Sequence, residues 1–141
     1  MGNRLSLESL TALSRNTAIS ALGIQLVAID ETQIELRMAI TDAARQPLGL
    51  LHGGVSMLLA ETAASMHAFW LADHNEKVPV GIEISGSHLR SVSEGTVKAV
   101  GTVLRRTRPL IFYRVDIYHE ETGKLLSAAR VTNYYKPVGD D

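Results

Sequence analysis

The 141-residue chain contains no cysteine, which removes disulfides, thiolate metal sites and cysteine nucleophiles from its chemistry. It also lacks an excess of either charge: fourteen Lys and Arg against fifteen Asp and Glu give a formal net charge of −1. That balance offers no global field for nucleic acid or an anionic membrane, so any anion must be held by a local cluster. Long apolar runs are missing as well, because Glu61, His52 or glycines interrupt them well before membrane-spanning length. The segment Met1-Gly2-Asn3-Arg4-Leu5-Ser6 has no continuous apolar core of a secretory leader, and a soluble, unprocessed, cytoplasmic protein is expected. No His-Glu-x-x-His pattern occurs, and His67, His74 and His119 show no ligand spacing, which argues against a metal hydrolase. The absence of a Gly-x-Ser-x-Gly elbow argues against a serine hydrolase.

What is present suggests one α+β domain spanning 1–141. Leu7, Leu10 and Leu13 at three-residue spacing after Ser6 predict a short helix, and a second turn follows through Thr17 to Leu22, so that 1–22 form an N-terminal helical segment. Two extended stretches, Ile24 to Ile29 and Gln33 to Ile40, are joined by Asp30-Glu31-Thr32 and read as a hairpin. A loop from Thr41 to Leu51 leads to a long helix over 52–75. Val78 to Leu89, Gly95 to Leu104, Leu110 to Tyr118 and Leu125 to Tyr135 are rich in β-branched or aromatic residues. Glu120-Glu121-Thr122-Gly123 marks the turn between the last two. Five or six antiparallel strands and one long helix imply a sheet wrapped around that helix.

The long helix carries a single carboxylate, Glu61, flanked on its own face by Met57, Leu58, Ala64, Ser65 and Ala68. None of these is basic, so burial of Glu61 at an interface or cleft is expected, and such an apolar setting is how a glutamate is prepared for work as a base or nucleophile. A solvated surface glutamate is the ordinary alternative. Gly53 and Gly54 precede it at the helix start, where unsatisfied N–H groups at the positive end of the dipole can hold an oxyanion.

Gln46, His52-Gly53-Gly54, Leu59-Ala60-Glu61 and Ser65, followed by Gly81-Ile82-Glu83-Ile84 and His88-Leu89-Arg90-Ser91, together resemble the hotdog-fold acyl-CoA thioesterases. The combination is most similar to the subgroup containing glutamate-type 4-hydroxybenzoyl-CoA, 1,4-dihydroxy-2-naphthoyl-CoA and phenylacetate-pathway thioesterases, and it covers roughly Gly23 to Tyr135. The resemblance implies that Glu61 attacks the thioester carbonyl or activates water, that the Gly53 N–H polarises the carbonyl, and that Gln46 orients the thioester or the water. Ser65 matches a hydroxyl that helps place water, unless it is bonded to its own helix backbone. His52 lines the site, caps the helix or fills the core. For coenzyme A, the resemblance implies contacts from Gly54, Gly81, His88, Leu89, Arg90 and Ser91 and from the turn holding Arg105, Arg106, Thr107 and Arg108. No metal or separate cofactor is implied, since coenzyme A belongs to the substrate.

The family forms dimers, often paired into tetramers, so a homo-oligomer is expected, with Gln46 and Gly53 acting opposite Glu61 of the neighbouring chain. Two other readings of the residues are a hotdog hydratase or dehydratase, in which His52 works beside Glu61, and a noncatalytic acyl-CoA or acyl-carrier binding module. Val55, Met57, Leu58, Phe69 and Trp70 are at helical spacing and either pack the core or line an acyl pocket.

Overall fold

The computed structural model of the protein describes residues 4–140; residues 1–3 and 141 of the expected single domain lie outside that range. Two short helices come first, α1 (Leu7–Leu13) and α2 (Ala18–Ala21). Each begins on a side-chain cap: Ser6 Oγ accepts the Ser9 N–H at 3.1 Å, and Thr17 and Ser20 form a capping box. The hairpin of β1 (Gln25–Ile29) and β2 (Gln33–Ala39) follows, its turn held by Asp30 Oδ1, which accepts the N–H groups of Thr32 and Gln33. After the loop comes α3 (Gly53–Leu71), then β3 (Lys77–His88), β4 (Thr96–Arg106), β5 (Leu110–His119) and β6 (Leu125–Pro137).

The six strands form one antiparallel sheet in the order β1-β2-β4-β5-β6-β3. Helix α3 lies across one face of it and turns Ala60, Ala63, Ala64 and Ala68 inward, where they are buried against Leu36, Val97, Tyr113 and Val131. Alanines on that face let the helix axis approach the strands closely. Gly123 takes φ 69° in the β5–β6 turn, the left-handed conformation that favours glycine. Among the described residues no helix is long and apolar enough to cross a membrane.

The expected span of the long helix, 52–75, is corrected at its C-terminal end. The helix stops at Leu71, because Ala72 is extended with ψ 153° and Asp73 closes a separate turn, its carboxylate accepting the Asn75 N–H at 3.0 Å. The last carbonyls are met from elsewhere: the Arg4 guanidinium donates to Leu71 O at 2.7 Å and to Trp70 O at 3.3 Å.

One polar group sits deep under the helix. His67 is fully buried, with Nδ1 at 2.7 Å from the Tyr113 hydroxyl and Nε2 at 2.7 Å from the Asp30 carbonyl oxygen. The carbonyl requires Nε2 to donate, so in the neutral ring Nδ1 accepts from the Tyr113 O–H. Burial pushes the His67 pKa below its ordinary value of 6.5. As pH falls below 6.5 the unfolded chain therefore takes up a proton that the native chain refuses, and stability declines by up to about 1.4 kcal/mol per pH unit. Denaturant unfolding at pH 7.5 and 5.5 should show this loss in the wild type, and a His67→Gln chain, less stable at the start, should lack it. Equal losses in both would remove His67 as its source.

Candidate active site

The strand β3 is the last in the sheet, hydrogen-bonded to β6 on one side and, among the described residues, to no strand on the other. Helix α3 runs along its inner face so that one ridge of the helix, Gly53, Met57, Glu61 and Ser65, follows β3 from His88 back toward Pro79. Three near-contacts fix this alignment. A Cβ at Gly53 would lie 2.6 Å from His88 Nε2, one at Gly86 would lie 2.9 Å from Met57 Sδ, and one at Gly81 would lie 2.5 Å from Glu61 Oε1. Glycine at 81 and 86 is thus what lets two helix side chains rest on the strand backbone. The strand is locally irregular there, with its pairing to β6 shifting register between Gly81 and Glu83.

Glu61 is solvent-exposed in the single chain and forms no ion pair among the described residues. Its apolar neighbours do not bury it, because the ridge lies at the open edge of the sheet. It stands at the wall of a cavity of about 740 Å³ formed between α3 and the N-terminal helices, with Leu10, Leu13 and Ile19 on one side and Met57, Leu58, Met66 and Phe69 on the other. Ser65 and Gly54 line the same cavity. Met57, Leu58 and Phe69 thus take part in a pocket. Val55, Met57, Leu58 and Trp70 all pack in part against the core, and Trp70 also borders a separate, polar cavity with Arg4 and Arg106.

At the start of α3, His52 is the N-cap: its Nδ1 accepts the Gly54 N–H at 2.8 Å. Of the roles open to His52, capping is the one observed. The Gly53 N–H has no partner among the described residues and is the free donor of the first turn. Gln46 is folded into its own turn, where Oε1 accepts the Leu48 N–H and the main chain bonds to Leu50 at 2.8 Å. Ser65 does not bond to its own helix; it donates to Asn133 Oδ1 at 3.0 Å. Thr62 is the helix residue that bonds back, to Leu58 O at 2.7 Å.

The residues expected to meet coenzyme A fall into two groups. His88 lies beside Gly53, its Nδ1 at 2.8 Å from Ser127 Oγ, and Arg90 donates to Leu125 O at 3.0 Å, with Leu89 and Ser91 exposed beside it. Arg106, Thr107 and Arg108 sit at the opposite end of the sheet. His88 pairs through Ser127 and Ile117 with Ala99, whereas Arg106 pairs with Ile111, which separates the groups by roughly 20 Å along the strands. Thr107 is held in the β4–β5 turn by Leu110. The two groups form no single patch in one chain. Among the described residues no cluster of His, Asp and Glu has a metal-binding arrangement.

Two contributions escaped sequence reasoning. Leu10, Leu13 and Ile19 come to the cavity only through the tertiary placement of the N-terminal helices, which no local pattern encodes. Asn133 did leave a signal: it falls at an inward position of a strand whose neighbouring inward residues, Val131 and Tyr135, are buried hydrophobics.

A family profile described as the Thioesterase superfamily matches residues 48–126, more than half of the chain. The proofreading thioesterase EntH of Cronobacter turicensis is 39% identical over 128 residues, 91% of this chain and 92% of that protein. The 1,4-dihydroxy-2-naphthoyl-CoA hydrolase of Escherichia coli is 33% identical over 129 residues, 92% of this chain and 93% of that protein. A crystal structure of a Haemophilus influenzae thioesterase superposes with a TM-score of 0.91 at 36% identity, covering 98% of this chain and 95% of that one. With a six-stranded antiparallel sheet around a long helix, and with these relatives, the chain belongs to the thioesterase superfamily and is a hotdog-fold thioester hydrolase.

Proposed function

We propose that the protein hydrolyses an acyl-CoA thioester to the free acid and coenzyme A, with Glu61 driving the attack. The observation that carries this reading is the Glu61 carboxylate, without an ion-pair partner among the described residues and lying on the Gly81 backbone at the wall of an apolar cavity. In one route a carboxylate oxygen adds to the thioester carbon, the C–S bond breaks, the thiolate leaves to be protonated, and water then cleaves the mixed anhydride. In the other, Glu61 takes a proton from water, the hydroxide adds, and the proton is returned to the departing sulfur. The cavity between Glu61 and the N-terminal helices suits an aromatic or medium-chain acyl group. Similarity to a dihydroxynaphthoyl-CoA hydrolase supports the aromatic choice and the glutamate-type subgroup.

The site needs a second chain. Gly53 and Glu61 are eight residues apart on α3, about 12 Å at 1.5 Å per residue, whereas an oxyanion donor and an attacking group must both lie near 3 Å from one carbonyl group. The free edge of β3 exposes Val80 at 39% and Ile82 at 57%, and unpaired edges of this kind invite pairing with another strand. Antiparallel β3–β3 pairing in a two-fold dimer, alone or within a tetramer, brings Gly53 and Gln46 of one chain toward Glu61 of the other. It also turns the arginine-bearing β4–β5 turn of one chain toward the Arg90 end of its partner, giving the coenzyme A phosphates cations from both.

A complementation experiment tests chemistry and assembly together. Gly53→Pro removes the free N–H at a helix position that accepts proline, preceded by His52 at ψ 127°, as a residue before proline prefers. His88→Ala is added to make room for the ring. Alone, this chain and a Glu61→Gln chain should each release little thiol from aryl- and straight-chain acyl-CoAs. Unfolded and refolded together in equal amounts, they should recover about a quarter of wild-type turnover, since half of the dimers then hold one intact site of two. No recovery would place the site within one chain, and no turnover by the wild type on any acyl-CoA would overturn the function.

A further inference from the structure

Asn133 is a fully buried polar residue on β6 whose side chain faces α3. Its Oδ1 accepts the Ser65 hydroxyl at 3.0 Å, while its Nδ2 makes no hydrogen bond among the described residues. Turning the amide over exchanges the two ends and still leaves one unmet. A buried amide with one end left without a partner is costly, and such groups recur where chemistry needs them.

The surroundings say what the free end faces. Asn133 is paired directly with Gly81 across the β3–β6 ladder, and directly opposed residues on one face have Cβ atoms about 5 Å apart. Gly81 has no side chain, and Glu61 Oε1 lies 2.5 Å from where its Cβ would be. The carboxylate therefore fills the place of the side chain that Asn133 would otherwise meet. Ser65, held by the other end of the same amide, is one helical turn beyond Glu61 and lines the cavity with it.

We propose that Asn133 is a positioning residue that couples Ser65 to Glu61. By accepting the Ser65 proton, Oδ1 fixes the hydroxyl rotor so that the oxygen lone pairs face the cavity, where they accept a hydrogen bond from water. When substrate binds, the Nδ2 group, unmet in the free chain, donates to the Glu61 carboxylate and holds it in the orientation from which it reacts. The proposal rests on Glu61 as the reacting group.

Asn133→Leu keeps the γ-branched shape, at a somewhat larger volume, and removes both polar ends. Because it also removes a buried unmet donor, its thermal midpoint should equal or exceed that of the wild type, while kcat for thiol release falls about 10- to 100-fold with KM little changed. A residue that only supports the fold would lower stability and activity together. The second variant is Asn133→Ala, set in a double-mutant cycle with Ser65→Ala: the double variant should be no slower than Asn133→Ala alone, since Ser65 acts only when oriented. Full kcat in the folded Asn133→Leu enzyme, or strictly additive losses in the cycle, would overturn the proposal. A Glu61→Gln control separates the two levels: if it keeps turnover, the reading of Glu61 fails, whereas if it collapses while Asn133→Leu remains fully active, only the role of Asn133 fails.

Discussion

Glu61→Gln is expected to lower kcat roughly 10³-fold, at the centre of the range for loss of a positioned base and without the option of covalent attack. The amide has the shape of the carboxylate and can neither accept a proton near neutral pH nor serve as a competent nucleophile. Binding should survive: the apolar cavity and the basic segments are untouched, so KM should stay within a few-fold and the loss should fall on kcat. The fold should survive as well. Glu61 has no ion-pair partner among the described residues, so no opposite charge is stranded, and a change of stability within about 0.5 kcal/mol is expected. Thiol release measured over a range of acyl-CoA concentrations, with thermal unfolding alongside, decides the matter. A kcat within about threefold of wild type would take Glu61 out of the reaction.

Gly81→Ala is expected to reach nearly the same end from the opposite strand, with kcat reduced about 100-fold. The new methyl would sit 2.5 Å from Glu61 Oε1, closer than real Cβ atoms approach, so the carboxylate must swing away by a good fraction of an ångström. Misplacement on that scale costs about 10²-fold in reactions that depend on aligned groups. The backbone does not object, because Gly81 is absent from the glycines with positive φ. Alanine should then leave the protein as stable or add about 0.5–1 kcal/mol by restricting the unfolded chain. Activity should therefore fall while the melting temperature holds or rises. Unchanged kcat in the folded variant would show that the carboxylate works from some other position.

Much of this architecture was legible in the residues. Ile111, Tyr113, Val115 and Ile117 alternate in the sequence with Phe112, Arg114, Asp116 and Tyr118 and are all buried, and the single carboxylate on an apolar helix marked the ridge that the cavity follows. Strand limits moved by only one or two residues, the usual ambiguity of frayed ends. The helix end was harder, because Ala72 continues the apolar pattern, and what stops the helix is the turn made by Asp73 together with the arrival of Arg4 from far along the chain. The exposure of Glu61 was also hidden: its neighbours are apolar, but burial depends on which strand lies at the sheet edge, and strand order is a property of the whole fold. The basic groups at Arg90 and Arg106 illustrate the same limit. Motif resemblance assigns both to one ligand, while the ladder registers set them at opposite ends of a single chain.

Position 81 has one further consequence. Most side chains in a protein are located by other side chains, and their positions drift as those neighbours change. Glu61 is seated against main chain at Gly81, apart from the side chains that shape the cavity. The residues that shape the cavity, Leu13, Met57 and Phe69 among them, can be exchanged for larger or smaller ones while the carboxylate keeps its coordinates. Such a scaffold separates the choice of acyl group from the machinery that cleaves it, so new substrates are reachable by single replacements in the cavity wall without rebuilding the reacting centre.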